Sequence, residues 1–110
     1  MVQRMIYTNT PDVPGLEIDE ILGVITGNVV QSKHVGRDIM ASLKTIVGGE
    51  IQSYTEMLTE ARHTAINRLV QEAQKLGADA VVNIRFATSS IMSGSAEILA
   101  YGTAVKLKPK

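Results

Sequence analysis

The residues of this chain that could do chemistry are few, and the scarcest are its two histidines, His34 and His63. Imidazole is the commonest metal ligand and the usual proton carrier near neutral pH, so each is a natural candidate. His63 stands three residues after Glu60 and four before Asn67, a helical spacing that sets a carboxylate, an imidazole and an amide on one face. Such a trio holds an ion only loosely, because a closed zinc-type site takes four strong ligands, and His63 reads as a surface histidine. His34, within Gln31-Ser32-Lys33-His34, falls in a loop between strand and helix and contributes to a metal site only if symmetry gathers several copies. The chain has no cysteine, which removes thiolate ligands, disulfides and a cysteine nucleophile together. Met1, Met5, Met40, Met57 and Met92 show no paired spacing of the kind a copper carrier uses and read as core filler. A metal ion as cofactor therefore rests on His34 and His63.

A second group is charged or phenolic: Arg62, Arg68 and Arg85, with Glu50, Glu97, Tyr54 and Tyr101. Guanidinium forks and carboxylates recognise one another, or a small ligand, through paired hydrogen bonds. These residues are the ligand-binding or interface candidates, and an enzymatic site would have to be assembled from them across subunits. None is assigned a catalytic role. Gly48-Gly49-Glu50 lacks the following Lys or Ser of a phosphate loop and reads as a helix cap. Ser89, Ser90, Ser93 and Ser95 include no Gly-x-Ser-x-Gly elbow and read as turn chemistry. Asp19 and Glu20 are adjacent on a strand and point to opposite faces, which argues against a shared acid–base site within one chain.

The elements that must position these groups follow from pattern and punctuation. A short strand at Met5–Thr8 is ended by Asn9-Thr10-Pro11-Asp12-Val13-Pro14-Gly15. Leu16 to Gln31 is rich in β-branched residues with apolar side chains on both alternating faces, so this strand needs cover on two sides. Gly23 and Gly27 share one of its faces and mark a bulge or the close approach of another backbone. Ile39, Met40, Leu43, Ile46 and Val47 predict a short helix that Gly48-Gly49 stops. The main helix begins at a capping box, Ser53-Tyr54-Thr55-Glu56, with Glu50 and Ile51 adding an irregular turn before it, and ends at Leu76-Gly77-Ala78. A strand from Ala80 through Thr88 continues toward Met92, Ser93-Gly94-Ser95 turns the chain, and Ala96 to Leu107 returns as an antiparallel hairpin. The predicted order is β, β, α, α, β, β.

Winding the main helix at about 100° per residue gathers Tyr54, Leu58, Ala61, Ala65, Leu69, Ala73 and Leu76 into one apolar sector. Glu56, Glu60, His63, Asn67, Gln71 and Gln74 fall opposite. Arg62 projects near the middle of the apolar sector, where an unpaired charge is costly, so a buried or interface ion pair with Glu50, Asp79 or Glu97 is expected. In the last strand Ala96, Ile98, Ala100, Gly102 and Ala104 share one face, and Glu97, Leu99, Tyr101, Thr103, Val105 and Leu107 the other. Small residues on the first face let a helix lie close. The second face also needs cover, which one helical layer does not supply, so a neighbouring subunit is the expected source.

Composition bounds the rest. A chain of 110 residues forms one domain, taken here as residues 1–110. Eleven basic and eleven acidic residues leave a formal net charge of zero, so no general field draws it to nucleic acid or to an anionic membrane. The N-terminal residues lack the apolar run of a signal peptide and no segment reaches the length of a membrane span, which predicts a cytoplasmic protein. One Phe, three Tyr and no Trp offer little stacking surface for bases or flavins.

Gly48-Gly49-Glu50-Ile51 with Tyr54, Ala61-Arg62 with Ala65 and Arg68, Leu76-Gly77-Ala78-Asp79-Ala80-Val81 with Arg85-Phe86, and Glu97 with Ala100-Tyr101-Gly102-Thr103-Ala104-Val105 closely resemble the YbjQ-like family. The resemblance spans nearly the whole chain in the same order. It implies an α+β subunit, a small sheet packed by one long and one short helix in the class of dodecin-like subunits, assembled with copies of itself as a ring-forming homo-oligomer, in the expected form of a homopentamer. The family carries a heavy-metal-binding label but no assigned biochemical function. Three functions follow in order of support: an oligomer binding a small ligand or metal at subunit interfaces, a scaffold without ligand, and an enzyme with an inter-subunit site.

Overall fold

The computed structural model describes residues 5–32, 49–92 and 95–110, with the side chains of 49–54, 90–92, Ser32 and Ser95 outside that description. Its elements are β1 (Ile6–Tyr7), β2 (Leu16–Ser32), α1 (Gly49–Lys75), β3 (Ala80–Met92) and β4 (Ser95–Pro109). Among the described residues they form an α+β unit with a four-stranded mixed sheet, in the order β1-β3-β4-β2, and one helix. The short helix expected at Ile39–Val47 and the loop residue His34 lie outside the described residues.

β3 and β4 form the expected antiparallel pair, in register from Ala80 against Val105 to Met92 against Ser95. The long strand β2 adds antiparallel to the other side of β4, from Leu16 against Pro109 to Ser32 against Ser95, and β1 pairs parallel to β3. Irregularities between Ile18 and Glu20 and between Ile21 and Gly23 insert extra residues into β2, and Gly23 takes φ 138°, a backbone that only glycine adopts without strain. The first irregularity breaks simple alternation at Asp19. Glu17 and Asp19 both approach Lys108, at 3.7 and 3.6 Å, on an exposed surface.

α1 starts at Gly49, one turn before the capping box, so Ser53 to Glu56 sit inside the helix rather than at its end. Its C-terminus behaves as the glycine signal predicts. Gly77 adopts φ 75°, its N–H donates to the Gln74 carbonyl at 3.0 Å, and the Ala78 N–H donates to the Ala73 carbonyl at 3.1 Å, the paired bonds of a Schellman cap.

The core lies between α1 and one face of the sheet. Ala61, Ala65, Leu69 and Ala73 of the helix pack on Ile25 and Val29 of β2 and Ile98, Ala100 and Ala104 of β4, all buried. Contact this close depends on Gly27, where a Cβ would overlap the Ala65 carbonyl oxygen and the Leu69 amide nitrogen. The small-residue face of β4 therefore does admit the helix as its sequence predicts. α1 lies over β2 and β4 and barely touches β3. A smaller cluster, Ala80, Val82 and Val105, is sheltered by Val13 and Leu107.

One further irregularity shapes β3. Asn83 has φ 56°, and both Asn83 and Ile84 oppose the single residue Gly102. Asparagine tolerates this left-handed backbone better than most residues. A Cβ on Gly102 would stand 2.9 Å from Val81 Cγ1 and 3.0 Å from the Val82 carbonyl oxygen, so the bulge closes over a glycine.

Candidate functional site

The strand registers place several of the candidate residues on the sheet face away from α1. Arg85, Tyr101 and Thr26 form one cross-strand row. Ala87, Leu99 and Asn28 form the next, and Ser89, Glu97 and Val30 the third. This outer face is largely bare: Val24 is 74% exposed, Val30 59% and Tyr101 38%.

Asn28 links one of its polar groups, Glu97, to the helix. The Asn28 Nδ2 donates to Glu97 Oε2 at 2.9 Å, and the Asn28 main-chain oxygen accepts from Arg68 Nη1 at 2.6 Å. One residue thus joins the helix to the outer face. Arg85 turns toward the β1 side, where its Nη1 donates to the carbonyls of Asn9 at 3.1 Å and Ile84 at 3.2 Å. Asn28 was not among the candidates read from sequence, because its role depends on long-range strand pairing that no local spacing shows. Its position two residues before Val30, on the face opposite Gly27, was the available signal.

Arg62 is exposed in the single chain rather than buried, and among the described residues its Nη2 donates to Thr59 Oγ1, at 3.3 Å on the same helix. It meets neither Asp79, whose Oδ2 accepts the Leu107 N–H at 2.8 Å, nor Glu97, which is held by Asn28. The reason is the placement of α1. The helical wheel assumes that the whole apolar sector is covered, whereas the flank carrying Arg62 is left open in the single chain. Glu50 and Tyr54 belong to the first turns of α1, and their side chains lie outside the described ones.

His63 is exposed between Glu60 and Asn67, both exposed. Among the described residues no group of three or more His, Cys, Asp or Glu could hold a metal ion. The donor set of the described residues therefore does not by itself fit a heavy-metal centre. A separate open cleft of about 490 Å³ lies at the C-terminal end of α1, lined in part by Met5, Gln74, Asp79, Lys106 and Leu107. Its carboxylate is already bonded to the backbone, so the chemistry on offer there is slight. The outer face carries a phenol, a carboxylate, an amide and a guanidinium arranged over two adjacent strand pairs, a set of hydrogen-bond donors and acceptors suited to recognition.

Comparison with known proteins agrees with this architecture. A family model described as "Putative heavy-metal-binding" matches residues 5–108. The chain belongs to this YbjQ-like family. Its relatives include a UPF0145 protein of Vibrio campbellii, 71% identical over 103 residues that cover 94% of this chain and 99% of the relative. Another is a UPF0145 protein of Thermosipho africanus, 64% identical over 104 residues, covering 94% and 96%. A crystal structure of a protein of unknown function in the DUF74 family, from Pediococcus pentosaceus, superposes with a TM-score of 0.65 at 16% identity over 94% of this chain and 98% of that one. At that identity the likeness extends to the fold. The YbjQ-like family and its UPF0145 members are uncharacterised in function, and among the described residues no helix is long and apolar enough to cross a membrane.

Proposed function

We propose that this chain is a cytoplasmic, non-enzymatic subunit of a homo-oligomer, five copies being the expected number, and that a small ligand or metal ion binds where subunits meet. The observation that carries this reading is the bare outer sheet face. Val24, Val30 and Tyr101 stand exposed around the Asn28–Glu97 pair, so apolar surface and oriented polar groups occur together. Contiguous surface of this kind marks interaction sites more often than solvent-facing sheet. The candidates Arg62, Arg68, Arg85, Glu97 and Tyr101 all remain on the surface of one chain, where a second copy can reach them.

Light scattering at several protein concentrations tests the assembly: a mass that is a fixed multiple of 11.9 kDa is expected, and a stable monomer overturns the proposal. The metal form of the reading requires copies to pool His34 or His63. Tag-free protein should then hold stoichiometric metal that His34→Ala or His63→Ala releases; retention of none across a panel of transition metals removes that form.

The scaffold reading has one observation in its favour. Arg68, Arg85 and Glu97 already have hydrogen-bond partners inside the chain, so a ligand would have to compete for them. Thermal unfolding against a small-molecule panel separates the two, because a ligand that binds the native state raises its stability by mass action.

A further inference from the structure

The end of α1 leaves a cation without a full counter-charge. Gly77 and Ala78 close the helix with their own N–H groups, to the carbonyls of Gln74 and Ala73 at 3.0 and 3.1 Å, so this terminus asks little of any side chain. Lys106 of β4 nonetheless reaches it, its Nζ standing 4.0 Å from where a Cβ on Gly77 would be. The negative end of the helix dipole accounts for that direction but supplies only a partial charge. Lys106 is half-buried and, among the described residues, takes part in no ion pair, not even with Glu20, which opposes it in register.

This ammonium borders the open cleft of about 490 Å³, a size at which proteins hold small molecules. The lining divides by chemistry. Met5, Ile6, Leu16 and Pro109 give an apolar side, while Lys106 and the amide of Gln74 give a polar one. The other charged groups of the cleft are engaged: Lys108 with Glu17 and Asp19, at 3.7 and 3.6 Å, and Asp79 through Oδ2 with the Leu107 N–H at 2.8 Å. What the cleft offers a visitor is one unpaired positive charge beside apolar surface.

We propose that this cleft binds a small monocarboxylic acid with an apolar tail, its carboxylate on Lys106 Nζ and the Gln74 amide and its tail against Met5, Ile6, Leu16 and Pro109. A lysine ammonium carries three donors on a flexible stem, so it meets a carboxylate oxygen without the fixed planar approach that an arginine imposes. Removal of the tail from water gives affinity, and the charge gives orientation, because a cationic headgroup would stand against Lys106. No bond is made or broken, in keeping with the slight chemistry of the cleft. The site lies within one chain, so it goes beyond the subunit-interface reading above and stands or falls apart from it.

Isothermal titration of the purified protein with octanoate tests it. Saturable binding is expected, weakening by about two- to fourfold for each methylene removed on the way to hexanoate, with the amide signals of Gly77, Ala78 and Leu107 shifting in parallel in nuclear magnetic resonance spectra. Lys106→Met, which keeps the reach of the side chain, should weaken octanoate about tenfold or more, whereas Lys106→Arg retains it. On the parent protein, octylamine should bind at least about tenfold more weakly than octanoate, a comparison that decides the matter even if Lys106→Met does not fold. Octylamine binding as tightly as octanoate overturns the proposal. So does octanoate binding unmoved by Lys106→Met in a folded variant, and so does the absence of saturation at millimolar octanoate.

Discussion

Replacing Gly27 by alanine should unseat the helix from the sheet. The added carbon would interpenetrate the Ala65 carbonyl oxygen and the Leu69 amide nitrogen and stand 3.0 Å from Leu69 Cα. These are main-chain atoms of a continuous helix with no rotamer to retreat into. Restoring an ordinary separation of about 3.5 Å moves α1 outward by roughly 1 Å, which forfeits a quarter to a half of each dispersion contact it makes. The contacts affected include those of Ile25, Val29, Leu69 and Ile98, the heart of the core. Overpacking of this kind costs about 1–3 kcal/mol, here its upper end because the overlapped atoms are main chain, and the stiffer unfolded chain returns about 0.4–1 kcal/mol of it. A net loss of about 2 kcal/mol, with a urea slope of about 1.5 kcal/mol per molar, lowers the unfolding midpoint by roughly 1.3 M. The measurement is urea unfolding followed by far-ultraviolet circular dichroism at fixed protein concentration, since assembly and stability are linked. The exposed substitution Thr88→Ala serves as control. A Gly27→Ala midpoint equal to or above that of the parent would refute the close approach of α1 to β2.

At Asn83, whose φ is 56°, alanine should destabilise by about 1 kcal/mol while glycine is neutral or better, a contrast that thermal unfolding of the two variants resolves. Gly102→Ala should cost about 1–2 kcal/mol in the same assay, less than Gly27→Ala, because two of its near contacts are the side-chain ends of Val81 and Ile84. Asp79→Ala strands the Leu107 amide and should cost about 1–2 kcal/mol, with faster hydrogen exchange at Leu107 as its local signature. Arg62→Ala should change stability by no more than about 0.5 kcal/mol in dilute protein; a loss of several kcal/mol there would point to an ion pair beyond the contacts of the described residues.

The parts of the fold legible in the sequence are those written in local pattern. The glycine end of α1 and the β3–β4 hairpin follow from punctuation, and the small-residue face of β4 follows from a two-residue period. Gly23 and Gly27 were read together as a bulge or a close approach, and the chain uses one for each. What the pattern does not carry is lateral placement. Whether the long helix centres on the sheet or sits to one side depends on strand order, and pairing of β2 with β4 spans most of the chain. That displacement leaves Arg62 open and Phe86 half covered, neither of which a helical wheel contains. The start of α1 differs from the capping-box signal for a simpler reason: a capping box is a preference of a few tenths to about 2 kcal/mol, too small to fix a boundary by itself, and the helix runs on to Gly49. The outer-face cluster is half legible, since Glu97, Arg85 and Tyr101 stand out by type while the amide of Asn28 that holds Glu97 does not.

Asn28 gives two layers a common fate. Its main chain is gripped by the helix through Arg68 and its side chain by the sheet through Glu97. The two grips are separable by chemistry: Asn28→Ala keeps the main-chain acceptor of Arg68 and gives up only the bond to Glu97, whereas Arg68→Ala gives up the helix's hold and leaves Asn28 on the sheet.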